Sequence, residues 1–168
     1  LGQNFLIDDN IANKIVNLAS IKGGEKILEI GPGRGILTEL LADKGKLLAV
    51  EKDRWLAVVL KQKFAGRAEI VEDDILKFDL PEIDVIVANL PYSISSPILF
   101  RLFNYQWKRA VLMFQEEFAN RLVAKPGSKV YGRLSVMANY YVDTRKLFKV
   151  SKTAFQPQPK IHSQVVQL

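Results

Sequence analysis

The sequence contains no cysteine and a single histidine, His162, in 168 residues. Without thiols there is neither a disulfide framework nor a thiolate metal site. One histidine leaves a zinc site to carboxylates almost alone, so no metal is expected. Uninterrupted apolar runs reach only about half a dozen residues, far short of the ~18–20 that a membrane-crossing helix requires. No signal-peptide pattern opens the sequence. With 48% apolar residues and only ten unperiodic glycines, disordered and collagen-like chains are excluded. The expectation is one soluble, cytoplasmic, monomeric domain over residues 1–168, and Leu1 in place of Met reads as the edge of something longer.

Acidic residues are scarce in one part of the chain. Residues 101–168 hold 12 Lys or Arg against 3 Asp or Glu, whereas residues 1–100 hold 12 against 15. This asymmetry points to a polyanionic partner for the second part, a solvated basic surface being the plainer alternative.

What is present alternates. Asp8 and Asp9 read as caps of a helix carrying Ile11, Ile15, Leu18 and Ala19, and a buried strand runs from Lys26 to Ile30. A helix with Ile36, Leu37, Leu40 and Leu41 follows, then a strand from Leu47 to Val50 closed by Glu51. Asp53 caps a helix whose stripe reads Leu56, Val59, Leu60 and Phe64. Further strands are read at 68–71, 84–88 and 110–114, with helices after Pro97, from Glu116 and over 133–141. Segments 146–150 and 161–168 form a closing antiparallel pair. The fold class is therefore α/β, a mostly parallel sheet with helices on both faces and an antiparallel last strand.

In such sheets ligands bind at the carboxyl ends of the strands, and the polar motifs fall there. In Glu29-Ile-Gly31-Pro-Gly33-Arg-Gly35 the glycines allow positive φ and close approach of a ligand. A dinucleotide fingerprint would place its third glycine at position 36, which is Ile36; this favours a nucleoside cofactor lacking a pyrophosphate over NAD. Glu51, 20 residues after Gly31, suits a ribose diol. Asp74, followed by Ile75-Leu76, suits an adenine amino group, although Asp73-Asp74 also reads as a helix cap.

Asn89-Leu90-Pro91-Tyr92 is the most specific signal. An adenine amino group is a poor nucleophile because its lone pair is delocalised into the ring. The Asn89 amide oxygen and the Leu90 carbonyl can accept its N–H groups and favour a pyramidal nitrogen aimed at a methyl donor. Pro91 fixes the backbone, and Tyr92 offers a face to an unstacked base.

Leu1-Gly-Gln-Asn-Phe-Leu6, Glu29-Ile-Gly-Pro-Gly33, Asn89-Leu-Pro-Tyr92, Tyr131-Gly-Arg-Leu-Ser135 and Phe155-Gln-Pro-Gln-Pro-Lys160 occur in that order. Together they resemble the ribosomal RNA adenine dimethyltransferase family, most closely its small-subunit, KsgA-type branch. The resemblance implies a Rossmann-like, seven-stranded class I methyltransferase using S-adenosylmethionine and releasing S-adenosylhomocysteine. It would dimethylate two adjacent adenines near the 3′ end of ribosomal RNA within the small ribosomal subunit or its precursor. It implies cofactor contacts from Asn4, Leu6, Gly31, Glu51, Asp74 and Asn89, target-base contacts from Asn89 and Tyr92, and Phe155 as a second aromatic sandwiching the base. The residues alone would make Phe155 a loop anchor.

Lys125, Lys129, Arg133, Arg145, Lys146, Lys149, Lys152 and Lys160 fit RNA phosphate contacts. The family usually carries a basic stretch before the first motif and a helical domain after the last, neither present here. It commonly has Asn where this chain has Ser93 and Asp where it has His162. His162 reads as a strand residue rather than a catalyst. The alternatives are the large-subunit branch associated with macrolide-type resistance, and a non-catalytic RNA-binding assembly or transcription factor on the same fold.

Overall fold

The computed structural model describes residues 3–168; Leu1 and Gly2 of the first motif lie outside the described residues. In chain order the elements are β1 (Phe5–Leu6), α1 (Asp9–Leu18), β2 (Lys26–Ile30), α2 (Ile36–Leu41), β3 (Lys46–Glu51), α3 (Arg54–Lys63), β4 (Glu69–Glu72) and β5 (Val85–Asn89). They continue with α4 (Ser95–Leu102), β6 (Arg109–Gln115), α5 (Glu116–Leu122), α6 (Arg133–Tyr141), β7 (Arg145–Val150), β8 (Phe155–Gln156) and β9 (Ser163–Gln167). Seven strands form one sheet in the order β4-β3-β2-β5-β6-β9-β7, and β9 alone runs opposite to the other six. The expected fold class is the observed one.

Period-two alternation assigns the two faces. On β2, Ile27 joins α1, α2 and α3 in one apolar layer, whereas Leu28 and Ile30 join α4, α5 and α6 in the other. Strands buried on both faces read as near-continuous apolar runs, as Val85-Ile-Val-Ala88 does. Asp8 caps α1 by accepting from the Ile11 N–H (3.0 Å), and Asp53 caps α3 by accepting from Leu56 (3.0 Å). On α3 the buried stripe is Ala57, Leu60 and Phe64, and Val59 faces solvent; the branched residue read as core sits about 100° off the stripe that the small Ala57 occupies.

Two features escape the alternation. β1 and β8 pair antiparallel, Phe5 with Gln156 and Leu6 with Phe155, tying segments distant in sequence into a strap beside the main sheet. At the opposite end of the strands, the Arg109 guanidinium grips Glu25 (3.0 and 2.5 Å) and the carbonyls of Ala19 and Ser20 (both 2.7 Å). These bonds close the α1–β2 turn onto β6, and Arg109 holds the Glu25 carboxyl down at about 2. Among the described residues, no helix is long and apolar enough to cross a membrane and no acidic or histidine cluster is arranged to hold a metal ion.

Candidate active site

The carboxyl ends of β2, β3 and β5 lie side by side, and the registers Ile30↔Val50 and Ile30↔Ala88 bring Glu51, Gly31 and Asn89 to one level. Alternation turns Glu51 and Asn89, like Glu29, toward the face that carries α1 and α2. Glu51 and Asn89 are two strand spacings apart, roughly 10 Å. Between them opens a cavity of about 730 Å³, lined among others by Asn4, Gly31, Glu51, Asp74, Asn89 and Tyr92. That volume lies within the roughly 300–1,000 Å³ of small-molecule sites.

Glu51 is 2% exposed, and both its oxygens are held: Oε2 accepts from the Gly33 N–H (3.0 Å) and Oε1 from the Asp53 N–H (2.9 Å). Each carboxylate oxygen offers two lone-pair directions, so Glu51 can anchor the glycine loop and still accept from a diol. The other glycine amides are also engaged, Gly31 with the Val50 carbonyl and Gly35 with that of Pro32 (both 2.9 Å). A dinucleotide site needs such amides free for its pyrophosphate. Here they are bonded. Gly35, at φ +86°, is where α2 meets α3: a Cβ there would come within 2.9 Å of Leu60. The early third glycine is therefore a packing position.

Asp74 Oδ1 accepts from the Leu76 N–H (3.0 Å) and caps the turn that follows, while Oδ2 pairs with Lys52 (2.9 Å). One oxygen thus caps the turn, and the other carries an exposed, exchangeable partner beside buried Ile75. The Lys52 ammonium holds the Asp74 carboxyl below its ordinary value.

Asn89 Nδ2 donates to the Asn4 carbonyl (3.3 Å), which leaves Oδ1 as its uncommitted acceptor. No donor among the described residues occupies the Leu90 carbonyl. Tyr92 begins the 3₁₀ turn after Pro91 and is half-buried, its hydroxyl 2.8 Å from that of Ser163. Phe5 closes the cavity over Gly33, where an added Cβ would meet the ring at 3.0 Å, and the Arg34 guanidinium stacks on Phe5 (4.7 Å). Phe5, Arg34 and Lys52 are residues that strand-end reasoning did not find, because their roles depend on the β1–β8 strap and on side-chain pairing.

Residues 1–168 match the profile of a family described as Ribosomal RNA adenine dimethylase. The chain belongs to this family. It is 48% identical to a probable ribosomal RNA small subunit methyltransferase A of Thermococcus sibiricus over 168 residues, 99% of this chain and 62% of that protein. Among solved structures it is similar to a dimethyladenosine transferase of Plasmodium falciparum, with 36% identity, TM-score 0.93 and coverage of 98% of this chain and 62% of that one. It is also similar to the 23S rRNA methyltransferase ErmE, with 31% identity, TM-score 0.88 and coverage of 98% and 68%. The chain spans less than two thirds of the curated relative's length.

One expected site residue is not at the cavity. Phe155 is 2% exposed and belongs to the apolar layer beneath α1, because its pairing with Leu6 turns the ring inward. Its ring is packed into the core and does not line the cavity, an arrangement that fits the loop-anchor reading. Ser93 lines the cavity rim, and His162 lies just ahead of β9, where its carbonyl accepts from Glu116 (3.0 Å). In the Tyr131-to-Ser135 motif, Ser135 Oγ accepts from the Gly132 N–H and donates to the Arg121 carbonyl (3.2 and 2.5 Å), fastening α6 to α5. Several candidate RNA cations are engaged: Lys149 with Glu116, Lys146 with Asn120 and Arg145 with Gln167, all on the edge strand β7. Charges on an edge strand also deter unwanted strand pairing.

Glu29 is the buried ionisable group of the family's glycine motif, 1% exposed and packed beside Thr38 of α2. Burial pushes its carboxyl up to about 8; Thr38 works against the rise, and the Glu51 charge adds to it. The folded chain therefore keeps a proton that the unfolded chain releases above 4.5, so stability falls as pH rises from about 4.5 to 8. Glu29→Gln, neutral at every pH, lacks that fall. Thermal unfolding should show the variant close to wild type at pH 5 and several degrees more stable at pH 8.5. A loss of equal size at both would mean that Glu29 is stabilising as an anion.

Proposed function

We propose that this chain is the catalytic domain of an S-adenosylmethionine-dependent adenine dimethyltransferase. Its substrate is two adjacent adenines near the 3′ end of small-subunit ribosomal RNA, in the subunit or its precursor. The observation that carries this reading is the pairing of two ends of one cavity. A carboxylate suited to a ribose diol stands at β3, and uncommitted carbonyl acceptors stand about two strand spacings away at β5. Bonded glycine amides argue against a diphosphate cofactor and fit a nucleoside one. Asp74 and Ile75 supply an acceptor and an apolar wall for the adenine, and Leu6 and Asn4 close the strap side.

The cofactor's sulfonium supplies an electrophilic methyl group and leaves as a neutral thioether. The residues of this chain do the rest by position. Asn89 Oδ1 and the Leu90 carbonyl accept the N–H groups of the target amine, drawing its lone pair out of conjugation and toward the methyl. The lone pair would form the new N–C bond as the methyl–sulfur bond breaks, and the proton then shed by the nitrogen would pass to solvent. Tyr92 holds the ring by stacking. Because bonding to the Asn4 backbone fixes which way the Asn89 amide points, the acceptor is pre-aligned before RNA arrives.

The small-subunit target is supported by the name and 48% identity of the archaeal relative, against 31% for the large-subunit enzyme. Mass spectrometry of RNA treated with this protein and cofactor should find N6,N6-dimethyladenosine at adjacent 3′ positions of the small-subunit RNA. Modification confined to large-subunit RNA would favour the other branch.

RNA affinity should depend on salt through basic side chains that are not engaged with acidic or amide partners. Replacing Lys152 and Lys160 by Ala should flatten the slope of log affinity against log salt by roughly 0.7–0.9 for each phosphate that is no longer neutralised. An unchanged slope would place the RNA surface elsewhere.

A further inference from the structure

Ser163 opens β9 and is 0% exposed, its backbone paired with Gln115 of β6 on one side and Val150 of β7 on the other. A hydroxyl buried in the middle of a sheet is costly unless it is hydrogen-bonded. The side-chain partner it has among the described residues is the Tyr92 hydroxyl, 2.8 Å away and 71 positions earlier in the chain.

Among the described residues this is the one hydrogen bond that the Tyr92 side chain makes. The turn over Tyr92–Ile94 is closed by the Ile94 N–H bonding to the Pro91 carbonyl (3.1 Å) and leaves the ring two side-chain torsions. Rotation about the first would swing the ring across the cavity mouth. The bond to Ser163 pins the far end of the ring to a strand that is paired on both sides. The long axis of the ring is thereby fixed before any base arrives, which lowers the ordering cost of stacking on it.

We propose that Ser163 is a positioning residue for methyl transfer, setting where the Tyr92 ring lies and through it the place of the adenine laid against it. This rests on the reading of Tyr92 as the base platform. Ser163 itself touches neither base nor cofactor; it acts through the phenol hydroxyl.

The test is a double-mutant cycle in the full chain with Ser163→Ala, Tyr92→Phe and the pair. Each single variant should lower methyl-transfer turnover about three- to tenfold, the size of one neutral hydrogen bond. The pair should be no worse than either alone, because both remove the same bond. Affinity for S-adenosylmethionine by calorimetry should not move. With 2-aminopurine at the target position, the quench on stacking should be shallower in both singles. Should Ser163→Ala fail to fold, Tyr92→Phe removes the other half of the bond from a half-exposed ring and carries the rate and quench tests.

Wild-type turnover in Ser163→Ala, or losses that multiply in the pair, would overturn the inference. Wild-type protein that binds the cofactor yet methylates no adenine would overturn the functional reading, and this inference with it.

Discussion

Asn89→Ala should lower methyl-transfer turnover by at least about a hundredfold, the loss typical of removing one pre-aligned hydrogen-bonding group from a polar transition state. Two atoms of one side chain set this size. Nδ2 is committed to the Asn4 carbonyl, so Oδ1 is directed into the cavity as an acceptor. Truncation removes the acceptor that draws the amine lone pair out of the ring and also frees the Asn4 segment. Cofactor affinity should change far less, because Glu51 and Asp74 lie on or beyond other strands. Single-turnover kinetics against calorimetry separates the two. Equal loss of rate and affinity would make Asn89 a cofactor residue first and would move the reacting nitrogen elsewhere.

The second large effect is expected at Glu51. Its carboxylate closes two loops at once, Gly33 of the glycine turn and Asp53 of the α3 cap, from a position 2% exposed. Glu51→Ala leaves both N–H groups without an acceptor, at roughly 1–3 kcal/mol apiece where water cannot reach them. It also removes the acceptor proposed for the ribose diol. Cofactor affinity should fall by about a hundredfold or more, the equivalent of two charge-assisted hydrogen bonds, with a lower melting temperature. Glu51→Gln should fall between, since its amide can accept only through one atom and turns a second donor against a backbone N–H. A variant that melts lower yet binds the cofactor as wild type would make Glu51 a structural clasp alone.

Which features were legible in the sequence follows from how local each cause is. β2 over Lys26–Ile30 and α6 over Arg133–Tyr141 have the expected bounds because apolar period and flanking turn residues mark them within a few positions. The placement of Glu51 and Asn89 is legible for the same reason: each is the last residue of an apolar run, and parallel register does the rest. α3 shows the limit, since choosing Val59 over Ala57 is natural by hydrophobicity and is reversed by packing against the sheet.

The strap could not be read at all. Two residues per strand carry no period, and the partners Leu6 and Phe155 meet only because the sheet between them has folded. Phe155 then goes to the core, against what the family resemblance implied. The Ser163 bond to Tyr92 and the second commitment of Asp74 belong to the same class, side-chain pairings across long loops. Glu29 was visible as a charged residue in an apolar strand; its neutrality near pH 7 follows only from the enclosure by α2.

The most direct test of the central claim, that the cavity above β2, β3 and β5 is a nucleoside-cofactor site, is titration of S-adenosylmethionine into the chain by calorimetry. Saturable binding with one site per chain, displaced by S-adenosylhomocysteine and not by NAD, is the predicted result. A folded chain that binds neither sulfur nucleoside, or that binds NAD in preference, would contradict it.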